Sequence, residues 1–121
     1  DITLEDGRII KNDKLTFDPI PAKNYAFCSD TVYNEAMLPI IENIDVLYHE
    51  STFLQSEENL AKKTLHSTAK EAATIALKAN AKQLILGHYS TRYESIELFK
   101  EEAETVFPEV LLGDDGKSFE F

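Results

Sequence analysis

Apolar positions along the chain fall into short runs and into longer stretches with helical spacing. Tyr25-Ala26-Phe27-Cys28 is one short run, ending in Ser29-Asp30-Thr31. Asp45-Val46-Leu47-Tyr48-His49 is a second, and Gln83-Leu84-Ile85-Leu86 is a third that enters Gly87-His88. All three predict strands. Ala72, Ile75, Ala76 and Ala79 lie on one helical face, preceded by Thr68 with Glu71 three residues on, the pattern of a capping box. With Asn80 as a stop, a helix is expected over 68–79. A second helix is expected over 94–106, where Ile96, Phe99, Ala103 and Val106 share a face. Glu94 and Glu97 favour its start, and Pro108 closes it. Residues 35–42 predict a further helix that Pro39 limits or kinks. Residues 109–112 and 117–121 predict a hairpin around Gly113-Asp114-Asp115-Gly116. Residues 1–22 read as a loop-rich β region, with turns at Gly7 and Asn12-Asp13 and a break at Asp18-Pro19-Ile20-Pro21.

Alternation of strands and helices makes the chain α/β. Asp30, His49-Glu50 and His88 all fall where a predicted strand gives way to a loop. In α/β folds such loops gather at one sheet edge, where ligands bind.

Composition narrows the picture. The 121 residues suffice for one domain with a core, and a 43% hydrophobic share is that of a globular chain. No apolar run reaches the roughly 18–20 residues of a membrane span. The first residues have neither the basic nor the apolar region of a signal peptide. The single cysteine, Cys28, excludes an internal disulfide and fits a reducing, cytoplasmic setting. A net charge of −10 argues against nucleic-acid binding by this chain alone, since phosphate contacts need Lys and Arg.

The chain has three histidines, and two of them are candidates for chemistry. Asp30 at a strand end can ligate a metal, its two oxygens bridging two cations, or it can cap the following turn. His88, after Gly87, can be a metal ligand or a structural imidazole; the glycine permits close backbone approach or an unusual dihedral. His66 precedes the capped helix and can serve as a proton donor facing a cleft, or be merely exposed. Glu50 can orient a histidine as a carboxylate orients a catalytic imidazole, or be a solvated cap. Cys28 reads as a core residue. Glu57-Glu58 and Glu101-Glu102 read as solvated helix faces.

Taken together, Tyr25-Ala26-Phe27-Cys28-Ser29-Asp30-Thr31, His49-Glu50-Ser51-Thr52-Phe53, His66-Ser67-Thr68 and Gly87-His88-Tyr89-Ser90-Thr91-Arg92-Tyr93 resemble, in order and spacing, the ribonuclease Z branch of the metallo-β-lactamase superfamily. The resemblance covers residues 23–121 well and 1–22 loosely. It implies a single partial domain over 1–121, the C-terminal half of a four-layer αβ/βα sandwich. It implies a zinc-dependent endonuclease that trims the 3′ end of precursor tRNA, using two zinc ions and commonly forming a homodimer. By the match, Asp30 bridges the two zincs and His88 ligates one. His66 is the catalytic histidine, Glu50 is its carboxylate partner, and Arg92 is a candidate phosphate contact. The family's His-x-His-x-Asp-His motif, a further ligand histidine and the tRNA-gripping arm have no counterpart in these residues. The resemblance therefore implies a missing N-terminal half and an inactive, weakly zinc-binding piece.

Two other readings remain open at this point. One is a metallo-β-lactamase-fold hydrolase acting on a small ester. The other is a non-catalytic receiver-like module in which Asp30 accepts phosphate, although His88 stands where such modules carry a lysine.

Overall fold

β-branched and aliphatic residues with few polar interruptions build the central sheet. The structure, a computed structural model, describes residues 2–3, 9–10, 23–29 and 31–113. Four parallel strands run in the order β3 (Tyr25–Cys28), β4 (Val46–Glu50), β5 (Gln83–Gly87) and β6 (Val110–Leu112). A separate two-residue ladder pairs β1 (Ile2–Thr3) with β2 (Ile9–Ile10), antiparallel. The helices are α1 (Leu38–Ile41), α2 (Glu58–Lys63), α3 (Ala69–Lys78) and α4 (Glu97–Glu104). None of the described helices is long and apolar enough to cross a membrane.

Strand alternation divides the sheet into two faces. Leu47, Leu84, Leu86, Val110 and Leu112 pack with Ala72, Ile75 and Ala76 of α3 and with Phe99 and Ala103 of α4, so one face is covered by helices. The small alanines let α3 lie close on β4 and β5. On the opposite face the rings of Phe27 and Tyr48 stack with centroids 4.5 Å apart. There Val46 and Ile85 are buried, but Tyr25 and Phe27 are 48% and 62% exposed.

Thr68 caps α3 as its sequence predicts: its hydroxyl accepts from the Glu71 N–H, and the Glu71 carboxylate accepts from the Thr68 N–H. Asn80, at φ 55°, ends the helix in the left-handed region. Other boundaries differ from expectation. Over 35–42 a 3₁₀ turn, Glu35–Met37, precedes α1, and Pro39 sits in the first turn of α1, where a missing N–H costs nothing. The helix expected over 94–106 is trimmed to Glu97–Glu104, because the Ser95 hydroxyl accepts from the Glu97 N–H and sets a later start. Residues 110–112 join the sheet in parallel beside β5 rather than opening a hairpin; residues 117–121 lie outside the described residues. A 3₁₀ turn at Gln55–Glu57 precedes α2, so the Glu57-Glu58 pair does sit where the chain enters a helix, although the sequence set no bounds for that helix.

Candidate active site

His49 and Glu50 are the last residues of β4 rather than part of the loop beyond it. Their side chains alternate across the sheet. His49 shares a face with Leu47 toward the helices, and Glu50 shares one with Tyr48. Glu50 is fully buried and accepts five hydrogen bonds. Oε1 takes the Thr31 N–H (2.9 Å) and His66 Nδ1 (2.8 Å). Oε2 takes the Thr52 N–H (3.1 Å), the Thr52 hydroxyl (2.7 Å) and the Ser67 N–H (3.2 Å). A buried carboxylate demands such company. One side chain thereby joins the loops after β3 and β4 to the segment that enters α3.

His66 is held on two sides. Its Nδ1 faces Glu50, and its ring meets Phe53 edge-on at 6.4 Å. Only 22% of the side chain is exposed, so the ring is oriented yet reachable. Ser67 is buried, and its hydroxyl donates to the Thr31 carbonyl, fastening the loop that begins at Thr31. Asp30 itself lies outside the described residues.

His88 follows β5 directly. Of the two conformational roles open to Gly87, close approach is the one observed: a Cβ there would run into the Tyr48 ring. The left-handed backbone falls instead on His88, at φ 60°. A non-glycine residue held there stores strain of about 1–3 kcal/mol, which clusters at functional sites. His88 is exposed, its ring stacks on His66 with centroids 5.2 Å apart, and its Nδ1 lies 2.8 Å from the Thr52 hydroxyl.

Glu50, His66 and His88 each bring a potential ligand atom, all within 4.8 Å of one another, which makes the cluster a candidate metal site. Within it Glu50 is a poor donor to a metal, because its oxygens are already saturated by five donors. Glu50 orients its neighbours, and the exposed His88 is the donor best placed for a cation.

Arg92 is half exposed. Its guanidinium lies 5.4 Å from the Phe53 ring centroid and 3.7 Å from Glu57. Glu57 is thus an ion-pair partner and not merely a solvated residue. Glu102 also departs from the solvated reading: it accepts from the backbone N–H groups of Gln55 (2.9 and 3.1 Å) and Lys70 (2.9 Å). Cys28 is half-buried with its thiol on Met37 Sδ, and burial pushes that thiol up.

The roles of Thr31, Thr52 and Ser67 were missed by sequence reasoning. Their only signal was a hydroxyl residue beside each charged candidate, at Asp30-Thr31, Ser51-Thr52 and His66-Ser67.

Known proteins share this arrangement of chain. No family model matches the sequence. Ribonuclease Z of Parabacteroides distasonis is 47% identical over 116 residues, which is 96% of this chain and 38% of that protein. Ribonuclease Z of Porphyromonas gingivalis is 51% identical over 88% of this chain and 35% of its own length. Among solved structures, the metallo-β-lactamase fold protein YhfI of Bacillus subtilis matches with a TM-score of 0.69 and 29% identity, covering 75% of this chain and 37% of that one. The short form of human tRNase Z matches at 0.52 and 32%, covering 68% and 26%. The chain spans little more than a third of the length of the curated relatives it matches. It belongs, as the counterpart of that part of them, to the ribonuclease Z family within the metallo-β-lactamase fold.

Proposed function

We propose that this chain forms part of a zinc-dependent endoribonuclease that matures the 3′ end of precursor tRNA. The observation that carries the reading is the Glu50–His66 contact of 2.8 Å beside His88, within residues that match proteins named ribonuclease Z. A carboxylate bonded to one ring nitrogen fixes the direction of the imidazole and leaves its other nitrogen facing outward. His66 is then suited to hand a proton to the oxygen that leaves when the phosphodiester is cut. His88 and Asp30 would hold zinc, with the remaining ligands supplied by an N-terminal half absent from this chain. Bound zinc would supply the Lewis acidity for phosphodiester hydrolysis. Arg92, half exposed and only loosely paired with Glu57, would contact a backbone phosphate. The basic surface needed for tRNA would come from the missing half or from a second subunit of a homodimer, because this chain carries a net charge of −10.

The test uses a full-length protein that contains this stretch. His66→Ala should lower kcat on precursor tRNA by about 10²–10⁴, the usual worth of general acid–base help, with zinc content unchanged. Cleavage at the normal rate by that variant would remove His66 from the mechanism.

A second reading takes only the metallo-β-lactamase fold from the match to YhfI and makes this chain part of a hydrolase acting on a small ester. Turnover of precursor tRNA compared with that of a small phosphodiester dye separates the two.

A further inference from the structure

We propose that Thr52 relays Glu50 to His88, so that one buried carboxylate sets the same tautomer, Nδ1–H, in both histidines of the cluster.

The inference follows from counting protons along three short contacts. Glu50 receives three backbone N–H groups across its two oxygens, from Thr31, Thr52 and Ser67, and an arrangement of donors on both oxygens suits the ionised carboxylate. As an acceptor only, it requires that His66 Nδ1, at 2.8 Å, carry a proton. The Thr52 hydroxyl stands 2.7 Å from Oε2 and has one proton to give, which therefore points to Glu50. Its oxygen lone pairs are left to face His88 Nδ1 at 2.8 Å, and that contact is a hydrogen bond only if His88 Nδ1 also carries a proton. In the neutral ring the lone pair then belongs to Nε2, the nitrogen that can bind a cation.

Outer hydrogen bonds of this kind fix the tautomer and ring orientation of metal-ligating imidazoles. Here the carboxylate acts on His66 directly and on His88 through a hydroxyl. Thr52 is a positioning residue: its hydroxyl acts through the His88 ring. The ligand role of His88 rests on the function proposed above, whereas the tautomer does not. The tautomer is measured without metal, so either can fail alone.

The experiment is a long-range ¹H–¹⁵N correlation spectrum of the three imidazoles in the ¹⁵N-labelled chain, without metal, at a pH where the rings are neutral. His49 supplies an internal control, since its Nδ1 lies 2.8 Å from the Glu50 carbonyl and must donate. The expected spectrum shows Nδ1–H for all three. Thr52→Val keeps the shape of the side chain and removes the hydroxyl. It should switch His88 alone to Nε2–H, with His49 and His66 unchanged. Thr52→Ser should restore Nδ1–H at His88. An Nε2–H ring at His88 in the unaltered chain would overturn the proposal and needs no variant to be seen. Retention of Nδ1–H at His88 in Thr52→Val, with the other two rings as before, would overturn it equally.

Discussion

His49 shows how far a single residue can be read from its position. It follows Tyr48 in an apolar run, and the sequence assigns it nothing beyond packing. In the fold it is fully buried on the helix-covered face, and its Nε2 has no hydrogen-bond partner among the described residues. Burial holds its pKa below the ordinary 6.5, with the Glu50 carbonyl and charge opposing more weakly. The folded value is depressed, so the unfolded chain takes up this proton first as pH falls. The stability that neutral His49 contributes is complete above pH 6.5 and is lost toward the lower folded value. The loss can reach about 1.4 kcal/mol per pH unit. Replacing His49 with Leu should remove this dependence. The urea midpoint of the parent should fall relative to that of the variant between pH 7.5 and 5.5. Parallel midpoints across that interval would mean His49 does not titrate with unfolding. At this scale Glu50 and His66 were legible as separate candidates from their types, and as a pair only through the family resemblance. Thr31, Thr52 and Ser67 were not, because a hydroxyl's partner is set by tertiary contacts up to 36 residues away.

At the scale of elements, the start of α3 shows how the segment carrying His66 is tied down. The first helical N–H groups need partners from outside the helix. Ala69 donates to the Phe53 carbonyl, Lys70 to Glu102, and Glu71 to the Thr68 hydroxyl. The Thr68 hydroxyl in turn donates to Gln55. Thr68 and Glu71 are visible in the sequence, since a capping box is local. Glu102 is not, because its partners come from segments 32 and 47 residues earlier, and a carboxylate on a helix otherwise reads as solvated. Glu102→Ala should leave two backbone donors without that acceptor and destabilise the fold by about 1–3 kcal/mol. Glu102→Gln keeps one acceptor oxygen and should lose roughly half as much. Thermal unfolding would register each as a drop of several degrees. If Glu102→Ala melts with the parent, water replaces the clamp at no cost. The strands were legible for a similar reason. Runs such as Leu84-Ile85-Leu86 signal a sheet interior on their own. The parallel placement of Val110–Leu112 was not legible, because the following glycines suggested a hairpin and only α4 packing on the sheet selects the crossover.

At the scale of the whole molecule, the sheet has unequal faces. Helices α3 and α4 cover one face. On the other, Val46 and Ile85 are buried, while Tyr25 and Phe27 at the β3 edge stand 48% and 62% exposed, the latter stacked on Tyr48. Large aromatic rings exposed side by side are costly to hydrate and mark a surface meant to be covered. The chain matches only 38% and 35% of two ribonuclease Z relatives, so the covering surface in a full-length protein would be the sheet of the other half. The exposed region is narrower than continuous apolar strands alone suggest, because β4 and β5 are already shielded. The expected behaviour is therefore association that depends on these two rings. In light scattering the chain should self-associate, or be drawn into a one-to-one complex by a separately produced N-terminal half. Tyr25→Lys with Phe27→Lys should yield a monomer that no longer pairs. Charge on the sheet face opposes both contacts, and neither residue lies in the helix-packed core. Zinc gives a second readout of the same pairing. Alone, the chain should lose zinc on dialysis against a chelator, since a held ion needs three or four protein ligands. In the complex it should retain the metal. A parent chain that stays monomeric, binds no apolar dye and ignores the N-terminal half would mean that this face is closed, and the part-enzyme reading would fall with it.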